Sequence, residues 1–125
     1  MGLADKVEHH QIKDLATFSK ESFVRKSLTQ SKGLVCDFVC FEPGQNAELH
    51  KHPVQDEIFF VVEGKGTIIF EEREPIPVEA GSVIFTPSGM THGVETVSDD
   101  RLILMLIKGP GVTTREARSF IHGDS

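Results

Sequence analysis

The sequence predicts an all-β domain, a sandwich or barrel of short strands. Three observations support that expectation. Val, Ile and Phe gather in short runs, turn residues separate the runs at close and even spacing, and helical periodicity is weak along the whole chain. The runs are Phe23–Thr29, Leu34–Phe41, Glu48–His52, Glu57–Glu63, Gly66–Glu72, Ser82–Phe85, His92–Val97 and Arg101–Lys108. Residues 1–22 read as an N-terminal strand or arm, with room for a helical turn or two between Asp14 and Lys26. Residues 113–125 read as a tail, a short helix or a frayed end.

The boundaries between runs have a mechanism. Glu42-Pro43-Gly44-Gln45 puts Pro and Gly at the centre of a type II turn. Glu63-Gly64-Lys65-Gly66 offers two residues tolerant of positive φ between strands. Thr86-Pro87-Ser88-Gly89 places Pro second and Gly fourth, as a type I turn prefers, and Ser98-Asp99-Asp100 is a further turn. Several runs are apolar on both parities, notably Ile58–Val62, Ile68–Phe70, Val83–Phe85 and Leu102–Ile107. A wall wetted on one face alternates instead. The outer face of some strands must therefore be covered too, by the N-terminal segment or by a second subunit; a subunit is preferred for part of it, and a closed homodimer is expected.

Composition narrows the function classes. The 125 residues suffice for one domain with a core, and no linker or repeat divides them. Lys and Arg number 13 against 19 Asp and Glu, a net charge of −6, which argues against nucleic acid or an anionic membrane as partner. The longest apolar run, Leu102–Ile107, is far too short for a membrane span, and the start lacks the apolar stretch of a signal peptide, so a cytoplasmic location is expected. Cys36 and Cys40, four apart on one strand, lie about 13 Å from each other at roughly 3.3 Å per residue, too far for a disulfide. They read as small buried hydrophobes. No phosphate-cradling loop, Ser–His–Asp arrangement or DNA-reading helix pair is legible.

Chemistry concentrates in three of the six histidines. His9, His10 and His122 lie near the ends and are expected to be solvated or locally bonded. His50 and His52 are two apart on an expected strand, so both rings face one side. The short link Pro53–Asp56 brings Glu57 back beside them, and His92 opens a later strand after the Pro87–Gly89 turn. Three imidazoles and one carboxylate converging inside a barrel suit a divalent transition metal. Glu48 and Gln55 are near alternatives, Glu48 by shared parity with the histidines. Phe59 and Val61, in phase with Glu57, and Val94 and Thr96, in phase with His92, are expected to face inward as a largely apolar wall. Arg25, Lys26 and Arg101 are able to recognise a carboxylate, but no spacing puts them near the metal.

The surrounding glycines carry a family resemblance. Gly44, His50, His52, Glu57 and Gly64 (44–64) resemble the first motif of the cupin superfamily, and Gly81, Pro87, Gly89 and His92 (81–96) resemble the second. Sixteen residues, Lys65 to Ala80, separate the blocks, as in small single-domain cupins. The one departure is Thr96, where the family often has Asn; that position is not a metal ligand. The resemblance implies one RmlC-like domain over residues 1–125, a β-barrel of jelly-roll type (a double-stranded β-helix). It implies that His50, His52, Glu57 and His92 bind one divalent ion of Fe, Mn, Ni, Co, Cu or Zn.

On an octahedral ion these four ligands leave two open positions. Three neutral imidazoles and one carboxylate leave a dication with net charge +1, which favours an anionic oxygen ligand. The resulting expectation is an enzyme acting on a small anionic organic substrate, either as a dioxygenase or by enolate-type isomerase, lyase or decarboxylase chemistry. The alternatives are a metal-dependent binding or sensing module without turnover and a metal-stabilised structural protein.

Overall fold

The computed structural model describes residues 3–97 and 99–111. A single helical turn, α1 (Ile12–Leu15), precedes the strands. These are β1 (Val24–Gln30), β2 (Val35–Phe41), β3 (Asn46–His50), β4 (Asp56–Glu63), β5 (Lys65–Phe70), β6 (Ile76–Glu79), β7 (Val83–Thr86), β8 (His92–Thr96) and β9 (Leu102–Gly109). All pairings are antiparallel. One sheet runs β1-β2-β9-β4-β7 and the other β3-β8-β5-β6, so the all-β jelly-roll expectation holds. No helix among the described residues is long and apolar enough to cross a membrane.

The core fills the space between the sheets. Val39 and Phe41 from β2, Phe59 and Val61 from β4, and Leu102, Leu104 and Leu106 from β9 meet Ile68, Val78 and Val94 from the second sheet. These residues share parity along each strand, and their neighbours point outward. On β4, Glu57, Phe59 and Val61 are buried while Ile58 and Phe60 are exposed.

The apolar outward parity has two fates. Phe38, Cys40 and Ile103 are buried beneath Ile12, Leu15 and Phe18 of the N-terminal arm, with Leu28 and Val62 alongside. Lys26 ties that arm down by donating to the Leu15 carbonyl at 3.0 Å and to Thr17 Oγ1 at 2.8 Å. Arg101 does the same from the other side, 4.1 Å above the Phe18 ring and 2.6 Å from Glu42 Oε1. Beyond the arm, on β4 and β7, Ile58, Phe60, Val83 and Phe85 face solvent, Val83 and Phe85 at 63% and 61% exposure.

Four details differ from the sequence reading. β6 is not among the runs the sequence predicts, because Pro75 and Pro77 break its pattern; proline is tolerated there because β6 is an edge strand. β3 covers residues 46–50 rather than 48–52, so His52 lies beyond the strand, in the link to β4. β5 ends at Phe70 and not Glu72. The turn before β8 closes one residue later than expected: Met90 N–H donates to Pro87 O at 3.3 Å, with Gly89 at φ +83° in the position a type II turn reserves for glycine. The Glu42–Gln45 turn forms as predicted, with Gly44 at φ +92° and Gln45 N–H donating to Glu42 O at 3.1 Å. The tail 113–125, with His122, and Ser98 of the expected 98–100 turn lie outside the described residues.

Cys36 and Cys40 are both free and both on β2; Cys40 is buried and Cys36 half-buried, and burial pushes both thiols up. Leu104, 0% exposed between the sheets, is expected to cost about 2–5 kcal/mol on truncation to alanine. Val83→Ala, on the bare outer face, is expected to change stability by no more than about 0.5 kcal/mol in the single chain. Urea denaturation of the two variants checks this contrast.

Candidate metal centre

Strand pairing brings the four sequence-predicted ligands together. His50 ends β3 directly opposite His92, the first residue of the neighbouring β8. The link after β3 returns His52 to the same end of the barrel, and Glu57 is the second residue of β4 in the facing sheet. The imidazole ring centroids lie 4.8 Å apart for His50 and His92, 5.1 Å for His50 and His52, and 5.5 Å for His52 and His92. One nitrogen from each of the three comes within 4.8 Å of the others. Glu57 Oε1 lies 2.8 Å from His92 Nε2 and 3.5 Å from His52 Nε2.

A local irregularity sets this convergence. Between Ala47 and His50 the β3–β8 register slips, so that Glu48 and Leu49 stand opposite Gly93 alone. The bulge lets Ala47 and His50 both face inward although their numbers differ in parity. Glu48 is exposed and stands at the rim of the cavity that His50 also lines, not among the buried ligands. The bulge fits because residue 93 is glycine: a Cβ there would come within 2.7 Å of the Ala47 carbonyl oxygen and 3.1 Å of the Glu48 carbonyl carbon. Gln55, the other alternative ligand, is buried and donates from its amide to the Pro110 carbonyl at 2.9 Å.

Backbone carbonyls fix which ring nitrogen is free. His50 Nδ1–H donates to Glu48 O at 2.8 Å, and His92 Nδ1–H donates to Met90 O at 2.9 Å. In the neutral rings Nε2 then carries a lone pair. His52 Nδ1 and Nε2, His92 Nε2 and Glu57 Oε1 are all buried without a hydrogen-bond partner among the described residues. The 2.8 Å approach of Glu57 to His92 thus sets a carboxylate oxygen against a nitrogen lone pair, without the alignment of a hydrogen bond. A proton on His92 relieves that repulsion for one pair. A divalent cation relieves it for every donor at once, so the residues present fit a metal.

The electrostatics suit ligation. Burial holds the His52 imidazole down to about 4 and lowers His50 as well, so both are neutral near pH 7. Burial pushes the Glu57 carboxyl upward, but once the rings are protonated a hydrogen bond from His92 and the positive charges of His92 and His52, with that of Lys108, outweigh burial and leave it below its ordinary value. The wall is apolar as expected: Phe59 packs edge-on to His92 at 5.3 Å, and Val61 and Val94 are buried. Thr96 faces the Glu42–Gln45 turn, its Oγ1 accepting from Gly44 N–H at 2.8 Å.

Two inward charges that the sequence reading passed over lie beside the centre. Lys108 pairs in register with Glu57 and is 1% exposed; its Nζ donates to Asp37 Oδ2 at 3.1 Å. Arg25 NH1 lies 3.9 Å from the same oxygen. A cavity of about 480 Å³ opens between β1 and β3, lined in part by Phe23, Arg25, Ala47, Glu48, Leu49 and His50. The signal was present in the sequence: an aspartate inside the apolar run of β2, and a lysine in phase with Leu102, Leu104 and Leu106.

Residues 37–108 match the family model described as Cupin domain. The oxalate-binding protein of Thermotoga maritima is 32% identical over 65 residues, 52% of this chain and 53% of that protein. The oxalate decarboxylase OxdC of Bacillus subtilis is 32% identical over 81 residues, 62% of this chain and 21% of the decarboxylase. The dimethylsulfoniopropionate lyase DddQ of Ruegeria pomeroyi is 29% identical over 79 residues, 63% of this chain and 39% of the lyase. The match thus spans about half the length of the Thermotoga relative and less of the other two. A solved structure from Thermus thermophilus superposes with a TM-score of 0.77 at 27% identity, covering 83% of this chain and 98% of that one.

The pH dependence of the metal-free protein follows from His52. Its imidazole titrates near 6.5 when unfolded and about 4 when folded, so the unfolded chain takes up the proton first. Stability is full above pH 6.5 and falls as pH drops toward 4, by at most about 3 kcal/mol from this group. The lowered Glu57 adds a further loss below its ordinary value. Denaturant midpoints between about pH 7 and pH 4 are expected to fall, with a shallower slope in His52→Gln.

Proposed function

The chain belongs to the Cupin domain family, and from that premise we propose that it holds a divalent transition metal and acts on a small carboxylate-bearing anion inside its barrel. One observation carries this reading: one ring nitrogen each from His50, His52 and His92 lie within 4.8 Å of one another, Glu57 Oε1 lies 2.8 Å from His92 Nε2, and the buried donors of His52, Glu57 and His92 have no hydrogen-bond partner among the described residues. We assign these four residues as the ligands. When bound, such an ion supplies a Lewis acid that polarises a substrate oxygen and favours its anionic form.

The chain's own residues supply the rest. The Glu48 and Met90 carbonyls hold His50 and His92 in the tautomer that presents Nε2. Phe59, Val61 and Val94 exclude water from the inner wall. Lys108, next to Glu57 in the β4–β9 register, keeps positive charge beside the site and favours an acidic ligand. The names of the similar proteins point the same way, since oxalate and dimethylsulfoniopropionate both carry carboxylates. Dioxygenase and non-oxidative lyase or decarboxylase chemistry are separated by oxygen uptake compared with anaerobic turnover. A second reading, metal-dependent binding without turnover, draws on the Thermotoga relative's name as a binding protein.

Elemental analysis tests the assignment. Wild type is expected to carry close to one transition metal per chain, and His50→Ala and Glu57→Gln to lose most of it. Equal metal content in all three removes the ligand set.

We further propose a homodimer that covers Ile58, Phe60, Val83 and Phe85, the apolar outer face that the N-terminal arm leaves bare. Sedimentation is expected to give twice the 13.8 kDa chain mass, and Phe85→Asp to shift it to the single chain. A wild-type monomer at tens of micromolar removes the dimer.

A further inference from the structure

The charges inside the barrel do not balance around an occupied metal site. Arg25 and Lys108 point inward with Asp37, and Glu57 stands beside the histidines. With a divalent ion at the centre, two cationic side chains and the ion face two carboxylates, an excess of two positive charges. Glu48, on the cavity lining, is solvent-exposed and pairs with neither cation among the described residues. Low dielectric makes an unmatched internal charge costly, and a bound anion is the ready remedy.

Arg25 is the member of this group left short. Lys108 Nζ takes the near contact with Asp37 at 3.1 Å, and Arg25 NH1 stands off at 3.9 Å. Arg25 Nε is buried without a hydrogen-bond partner among the described residues. Register places Arg25 opposite Val39, on the inward face of β1, and it lines the same cavity as His50. One side of the cavity therefore ends at a metal ligand and another at a guanidinium. Phe23, Ala47 and Leu49 supply apolar surface between. The cavity, about 480 Å³, falls in the range of small-ligand pockets.

We propose that Arg25 is the specificity-determining residue of this cavity: it pairs with the far carboxylate of a small dicarboxylate whose near carboxylate is held at the metal centre. The proposal rests on the metal-dependent reading above. A planar guanidinium with a free Nε–H and a terminal N–H is the donor pair that a carboxylate accepts in bidentate fashion. The dianion cancels the excess charge, and a short methylene spacer suits the apolar lining.

Calorimetric titration of the nickel-loaded protein tests this, with succinate and glutarate against butyrate. Wild type is expected to bind the better dicarboxylate roughly ten- to hundredfold more tightly than butyrate, the range set by one charge-assisted pairing. Arg25→Gln is expected to erase that preference while nickel content stays unchanged, and Arg25→Lys to restore part of it. A role confined to bracing Asp37 lowers the melting temperature of Arg25→Gln and leaves the preference intact, which overturns the proposal. Full nickel content in wild type without any preference for the dicarboxylates overturns it as well and leaves the metal centre standing; this comparison needs no variant to fold. A wild type that takes up no nickel removes the underlying reading and the proposal with it.

Discussion

Placing imidazole and carboxylate donors inside an apolar barrel is costly unless something meets their lone pairs, and the structure gathers four such groups at one end of the barrel. Several other interior polar groups do find partners: the Thr86 hydroxyl donates to the Glu57 carbonyl, the Gln55 amide N–H to the Pro110 carbonyl, and Lys108 to Asp37. At the centre formed by His50, His52, Glu57 and His92 the protein leaves donor atoms aimed at one another. That constraint explains why the neighbouring features take the form they do. Each one holds a lone pair in place or keeps water out.

The bulge in β3 is the clearest of these features. It costs one ladder position, yet it rotates His50 inward beside His92 and delivers the Glu48 carbonyl to His50 Nδ1. The turn before β8 does the same for His92, presenting the Met90 carbonyl to Nδ1 while Gly89 N–H donates to the His52 carbonyl at 2.9 Å. One turn thus restrains the backbone of one candidate ligand and the tautomer of another. Gly93 makes the bulge possible, so a residue without a side chain is part of what positions the site.

Charge is arranged on a second level. Asp37 and Lys108 form a buried pair that gains little net stability once desolvation is counted, but it sets positive potential behind Glu57 and leaves Arg25 incompletely neutralised at the cavity wall. The outer face divides in a similar way. The N-terminal arm covers the part of the first sheet nearest β1 and β2, fixed by Lys26 and Arg101, so two of the three cations that looked available for carboxylate recognition are committed to holding that arm. The third, Arg25, faces inward.

The sequence by itself determined the strand pattern, most of the turns and the identity of the candidate ligands. These depend on local rules: side chains alternate along a strand, glycine supplies positive φ at Gly44 and Gly64, and imidazole and carboxylate are metal donors wherever they meet. It misjudged β6, where two prolines hide a strand that only an edge position tolerates, and it did not reveal the bulge in β3, because a bulge shifts register without marking the residues that form it. Only the tertiary structure decided that Arg25 shares a cavity with His50 and that Lys108 lies behind Glu57. Those neighbours belong to different strands, and their meeting is set by how two sheets close on a common core, a long-range packing outcome that no window of sequence contains.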